Sequence, residues 1–239
     1  MSFRSSLWRQ LWQQVQPQPK FAIVIVDPQN DFGTQAGSLY VPKGEEIVPE
    51  INELRTSLFL GVKDTVITKD WHPADHVSFF SNHADVEAAP FTKITLPDGT
   101  QQDMWPPHCV QDSDGSAIIT GLYQSPNDFI VHKGCLQGVD SYSGFGSADG
   151  VSEVTPLHSE LQARGITHLI VCGLAFEYCV AATAKDAAKL GYKTFVMLSG
   201  TRGISAEGCA AQKALMVAAG VGMLEGISEV VSLVKLVLN

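Results

Sequence analysis

The sequence predicts one doubly wound, mostly parallel α/β sheet with helices on both faces. Two observations support this. Apolar runs of strand length alternate with helical patterns along the chain. The central runs, "FAIVIVD" and "HLIVCGLA", are apolar on both faces, which marks strands covered by helices on both sides and not strands with one wet face. Alternation of this kind implies right-handed crossovers within one sheet. At 239 residues the chain can bury one large core, with two small domains as the alternative division.

The elements follow in order. Residues 1–20, "MSFRSSLWRQLWQQVQPQPK", contain no acid and carry Arg4, Arg9 and Lys20. Leu7, Leu11 and Val15 fall on one helical face with Trp8 and Trp12 beside them. An amphipathic helix packed on the domain fits this pattern, and so does a mitochondrial presequence; the apolar core of a secretory signal is missing. The domain proper spans 21–239. Strands are expected at "FAIVIVD" ending at Asp27, "DTVITKD" at Asp70, "DFIVHK" at Lys133, "HLIVCGLA" at Ala175 and "KTFVMLS" at Ser199, with a short one at 221–224. Helical patterns lie near 45–60, 152–164, 178–190 and 205–219, and "GISEVVSLVKLVLN" reads as a last helix. The stretch 71–127 holds Pro73, Pro90, Pro97, Pro106, Pro107 and Pro126 and little periodicity. It reads as a long irregular insertion, and long loops in compact domains are usually functional.

Composition narrows the function. The formal net charge of −9 and the absence of a basic block argue against a nucleic-acid partner. No apolar run reaches the roughly 18 residues of a membrane span. Cys109, Cys135, Cys172, Cys179 and Cys209 are odd in number and form no CxxC pair. That suits free thiols in a reducing compartment, so a cytoplasmic location is expected, with the mitochondrion as the alternative.

Ligands of open parallel sheets bind beyond the carboxyl ends of the strands. Asp27, Asp70, Lys133 and the segment "GLAFEYCV" leading to Cys179 occupy those ends. Each has an ordinary reading: a turn-forming Asp, a solvated rim Lys, a packing Cys. Gathered at one edge they become a candidate nucleophile, base and cation. Among the cysteines, Cys172 lies inside an apolar strand, and Cys109 and Cys209 read as packing. Cys135 reads as exposed and oxidation-prone. Cys179 lies where a strand's exit loop enters a helix, and the helix N-terminus there favours a thiolate. In "TKDWHPADH", Asp70 and His72 sit two apart at a strand end and point the same way if the chain is still extended.

Taken in order, "IVIVDPQNDF", "GSL", "TKDWHP", "WPPHCV", "HKG", "SYSGF" and "VCGLAFEYCV" resemble the nicotinamidases of the isochorismatase-like cysteine hydrolases, over about residues 21–225. The resemblance implies a Rossmann-like three-layer fold and a catalytic set of Asp27, Lys133 and Cys179. It implies a divalent metal held by Asp70, His72 and His108, a ligand set that suits zinc, with iron or manganese as alternatives. It places Phe32 and Trp105 on either side of a nicotinamide ring, gives the backbone amides of Ala175 and Cys179 to the oxyanion, and expects a cis peptide between Leu174 and Ala175. His76 is expected to support the ligands and not to be one, because it follows His72 too closely. Asp140 reads equally as a partner of the metal's water or as a turn residue. The expected activity is hydrolysis of nicotinamide to nicotinate and ammonia through a cysteine thioester, in NAD salvage, with self-association left open. Alternatives are another cysteine amidase acting on a carbamoyl or ureido compound, an isochorismatase, or a binding module on the same fold. The last two should lack parts of the catalytic set, and none is missing here. One departure is Ala36, where the family usually has Gly, so the loop there is expected to close differently.

Overall fold

Phe21–Val26 contains no polar residue, and the sheet is built outward from it. The computed structural model describes residues 18–58, 62–86 and 88–238; the helix expected within residues 1–20 lies outside the described residues. The strands are β1 (Phe21–Val26), β2 (Asp64–Asp70), β3 (Lys93–Thr95), β4 (Gln101–Asp103), β5 (Phe129–Lys133), β6 (His168–Gly173), β7 (Lys193–Thr201) and β8 (Gly222–Leu224). The main sheet has the order β5-β2-β1-β6-β7-β8, and all its neighbours pair in parallel. Winding reverses between β1 and β6, which opens a crevice at their carboxyl ends.

The two faces of β1 feed two separate core layers. Phe21, Ile23 and Ile25 pack with α1 (Ile47–Leu58) and with α5 (Ile227–Leu238). Ala22, Val24 and Val26 pack with α2 (Leu157–Ala163), α3 (Ala181–Lys189) and Met216 of α4 (Ala206–Ala218). Helix α1 turns Ile47, Ile51, Leu54 and Leu58 inward, the three- and four-residue spacing of one helical face. Each such side chain, fully buried, contributes about 1.5–3 kcal/mol. Ser205 caps α4 by accepting from the Gly208 amide at 3.0 Å, satisfying one of the donors left free at a helix start. Among the described residues no helix is long and apolar enough to cross a membrane.

Several boundaries differ from the sequence reading. The helix expected from 152 starts at Leu157. Residues 152–155 are instead bound to the loop before them, through Ser147 N–H to the Glu153 carbonyl at 2.9 Å and Thr155 Oγ1 to the Gly144 carbonyl at 2.6 Å. Strand β7 runs on past Ser199 to Thr201. The insertion is not wholly irregular: β3 and β4 form an antiparallel hairpin. Its turn, Pro97-Asp98-Gly99, carries turn chemistry legible in the sequence, with the Thr100 amide donating to Asp98 Oδ1 at 2.9 Å. Ala36 is exposed; the glycine the loop needs is Gly37, where a Cβ would lie 2.3 Å from the Asp31 carbonyl oxygen.

Strand β6 stops at Gly173, two residues short of Ala175. Gly173 has φ +117°, and a Cβ there would meet the Val26 carbonyl oxygen at 2.1 Å. Only glycine lets the chain turn this close to β1. Gly173→Ala should therefore cost at least about 2 kcal/mol in urea unfolding; a loss within experimental error would show that the β1–β6 crevice tolerates a side chain.

Candidate active site and metal centre

Four strand ends meet around one ammonium group. Lys133 closes β5, and its side chain is fully buried. Its Nζ donates to Asp70 Oδ1 in a very short contact, to the Ser141 carbonyl at 3.0 Å and to Cys179 Sγ at 3.3 Å. Asp27 Oδ2 lies 3.1 Å from the same nitrogen. Burial alone would drive the Lys133 pKa down, but Asp27 and Asp70 outweigh it and hold the amine charged, well above its ordinary value.

Asp27 follows β1 with φ +44°, a left-handed conformation that Asp tolerates better than most residues. Its amide donates to the Thr68 carbonyl at 3.2 Å, and Thr68 Oγ1 donates to Asp27 Oδ1 at 2.6 Å. Among the described residues Asp27 Oδ2 has no hydrogen-bond partner of good geometry; it faces the Lys133 ammonium as an ion pair and keeps capacity to accept a further proton. Burial raises the Asp27 pKa to about 6, against the pull of Lys133.

Cys179 sits in the helical turn Phe176–Val180 that leads into α3. The helix N-terminus expected to favour a thiolate here is outweighed by burial. Burial pushes its pKa well above the ordinary thiol value, and Lys133 only partly offsets this while Asp27 and Asp70 push further up. The resting group is a neutral thiol beside an open carboxylate oxygen. Cys135 is half-buried and not exposed as expected, and burial with Glu153 beside it pushes the thiol up to about 11, which disfavours the reactive thiolate. Cys172 is fully buried, at about 12.

On the other side of Asp70 stand two imidazoles. His72 Nε2 lies 3.6 Å and His108 Nε2 3.8 Å from Asp70 Oδ2. The opposite nitrogens are occupied: His72 Nδ1 bonds the Gly134 carbonyl and His108 Nδ1 the Pro106 carbonyl, each at 2.8 Å. That fixes both rings with Nε2 facing the carboxylate, the orientation metal-ligating histidines take from their backbone partners. Candidate ligand atoms of Asp70, His72 and His108 lie within 4.8 Å of one another. Burial and His72 lower the His108 pKa to about 4, so it is neutral and free to ligate. Burial disfavours a charged His72, but Asp70 outweighs it and raises the pKa; a cation between them would take the place of that proton. Asp27, Asp70 and Cys179 also approach within 4.8 Å, but the Lys133 ammonium already lies among them. Two carboxylates against one ammonium leave surplus negative charge, and the donor set of one carboxylate and two imidazoles fits a divalent ion.

Phe32, Trp105, Ala175 and Cys179 line one pocket with Asp70, His72 and His108. Trp105 Nε1 donates to Tyr142 Oη at 3.1 Å. The peptide between Leu174 and Ala175 is cis. The Tyr178 and Val180 amides donate to the Ala175 carbonyl at 3.1 and 3.2 Å, and Cys179 lies between them in the same turn. His76 packs against His72 with the rings tilted by 31° and their centroids 4.1 Å apart. Both its nitrogens are engaged, with Ser78 Oγ at 2.8 Å and the Val139 carbonyl at 3.1 Å, which suits a residue packed beside His72 more than a candidate ligand. Asp140 lines the pocket and accepts from Gln102 Nε2 at 2.7 Å.

Thr68, Ser141 and Glu153 were not singled out from sequence. Glu153 accepts from the Gly134 and Cys135 amides at 2.7 and 2.8 Å, holding the turn whose carbonyl orients His72. Gly134 has φ +62° and a Cβ there would lie 2.4 Å from the His72 ring. The "HKG" glycine was a signal for this close approach; no local pattern marked Glu153, which lies well downstream.

The isochorismatase domain family model matches residues 21–226. The nicotinamidase of Acinetobacter baylyi is 40% identical over 188 residues, 78% of this chain and 83% of that protein. The solved nicotinamidase/pyrazinamidase of Acinetobacter baumanii superposes with TM-score 0.80 at 36% identity, covering 90% of this chain and 99% of its own. A pyrazinamidase of Pyrococcus horikoshii, solved in complex with zinc, gives TM-score 0.71 at 31% identity over 86% of this chain and 99% of its own. Sheet order, strand-end chemistry and these matches agree: the chain belongs to the isochorismatase family.

Proposed function

We propose that this protein hydrolyses nicotinamide to nicotinate and ammonia, using Cys179 as nucleophile, Asp27 as proton acceptor and donor, and Lys133 as the buried cation that holds them. The observation that supports this most is the open Asp27 Oδ2 beside a neutral Cys179 thiol, both within reach of one ammonium. Relatives named as nicotinamidases, 34–41% identical to this chain, support the substrate.

Asp27 takes the thiol proton as Sγ attacks the carboxamide carbon, and the amides of Ala175 and Cys179 receive the developing oxyanion. The tetrahedral adduct collapses as Asp27 returns the proton to the departing nitrogen, releasing ammonia and leaving a thioester. Asp27 then takes a proton from water, which attacks the same carbon; collapse releases nicotinate and the proton passes back to Cys179. Lys133 keeps carboxylate and sulfur oriented and offsets negative charge at each step. Phe32 and Trp105 hold the ring. Asp70, His72 and His108 would hold a divalent ion, zinc by the nature of its ligands and the zinc-bound relative, with iron or manganese compatible. Such an ion supplies a Lewis-acidic partner for the pyridine nitrogen.

Ammonia release from nicotinamide by purified protein tests the function. Cys179→Ala should lower it by more than about 1,000-fold, and Cys172→Ala should lower stability and leave turnover alone. If Cys179→Ala keeps a tenth of native activity, the thioester route is wrong.

Asp27 must be ionised to take the thiol proton, so activity is present above its pKa and lost below it. With that pKa at about 6, kcat/KM should fall on the acid side of pH 6, while Asp27→Asn should lose about 100- to 10,000-fold at all pH values. A native profile that stays flat a full unit below pH 6 would move the base to another group.

Purified protein should carry one divalent ion per chain, absent in His72→Ala. Benzamide, which lacks the ring nitrogen, should be hydrolysed orders of magnitude more slowly than nicotinamide. Equal rates for the two amides would remove the ion's part in holding the ring.

A further inference from the structure

We infer that Gln29 is a positioning residue: its side-chain amide stands in for a missing strand and holds Asp70 where the metal ligands and Lys133 both need it. This rests on the metal reading of Asp70, His72 and His108 given above.

Strand β1 ends at Val26, and the chain then turns through Asp27 and Pro28. Strand β2 continues to Asp70. On its far side Asp70 is still in register with Lys133 of β5. On the β1 side, the ladder between β1 and β2 ends at Ile25 and Ile67, so the Asp70 backbone has outrun its strand partner. A buried peptide N–H and carbonyl left without partners would each cost about 1–3 kcal/mol.

Gln29 supplies both. Its Oε1 accepts from the Asp70 amide at 2.8 Å, and its Nε2 donates to the Asp70 carbonyl at 2.7 Å and to the Ser116 carbonyl at 3.1 Å. The residue is fully buried. A primary amide is the side chain that carries a donor and an acceptor side by side as a peptide does; Glu lacks the donor and Met both. Gln29 thus extends the sheet by one peptide unit after β1 has peeled away. This lets the two neighbouring strand ends do different things. Asp27 turns off to face the thiol, while Asp70 stays in the extended register that aims one oxygen at Lys133 and the other at the imidazoles. Gln29 touches none of the reacting atoms and acts through Asp70.

The test compares Gln29→Met and Gln29→Glu with the native protein and with Val230→Ala, a buried change in α5. Zinc dissociation constants are measured by competition with a chromophoric chelator, and thermal midpoints on the metal-free proteins. Both Gln29 variants should bind zinc about 10- to 100-fold more weakly and lose kcat more than they raise KM. Val230→Ala should lower the thermal midpoint and keep native zinc affinity. Native affinity in the Gln29 variants, or an equal loss in Val230→Ala, would leave Gln29 a purely structural residue and overturn the inference. If Gln29→Glu does not fold, Gln29→Met decides, since it keeps length and adds no charge. Failure of the native protein to bind zinc, iron or manganese would instead overturn the three-ligand reading, and this role with it.

Discussion

A single buried ammonium organises the site. Lys133 has no exposed surface, and a charge in that position persists only where its surroundings repay the lost hydration. Here two carboxylates, a carbonyl and a sulfur do so. Each of these partners comes from a different segment: the end of β1, the end of β2, the loop after β5 and the helical turn after β6. The cation therefore fixes the relative placement of Asp27, Cys179 and Asp70 together, the proposed base, nucleophile and ligand carboxylate. Removing it would leave two carboxylates facing each other in a dry site.

Asp70 joins two centres through its two oxygens. One belongs to the Lys133 cluster and the other to the paired imidazoles. In the proposed reaction, bond breaking and the holding of the ring would thus be divided between the two oxygens of one carboxylate. Lys133, His72 and His108 together outweigh burial and keep Asp70 below the usual carboxylate range, whereas Asp27, with fewer compensating partners, stays near neutrality. Two neighbouring aspartates are thus shifted in opposite directions by their surroundings alone.

Much of this was legible before the structure. The strand at 21–26 could be read because every position is apolar, and those at 64–70 and 129–133 because each carries a β-branched apolar core and closes on a charge, Asp70 or Lys133. The gathering of Asp27, Asp70, Lys133 and Cys179 followed from the rule that parallel strands end on one side. What could not be read depends on distance in the chain. Glu153 and Thr68 act through hydrogen bonds to backbone and carboxylate far from them in sequence, and nothing in their local pattern marks this. The protonation of Cys179 was not legible because the helix N-terminus is visible in sequence while burial and two neighbouring carboxylates are not. The start of α2 was misplaced because Thr155 and Glu153 satisfy loop groups that only the fold brings near them.

The winding of the sheet also sets when the site can exist. β1, first of the described strands, sits at the centre with β2 on one side and β6 on the other, so its second neighbour is synthesised only after β5 and the whole insertion. The thiol arrives later still, on the turn after β6. Pairings this distant carry the loop-closure entropy that slows folding. Until β6 docks, the buried lysine has no nucleophile to orient and part of its compensation is missing. Turnover is therefore a late reporter of folding: a chain stalled before the β1–β6 crevice closes would be hydrolytically silent however much of β1, β2 and β5 had already paired.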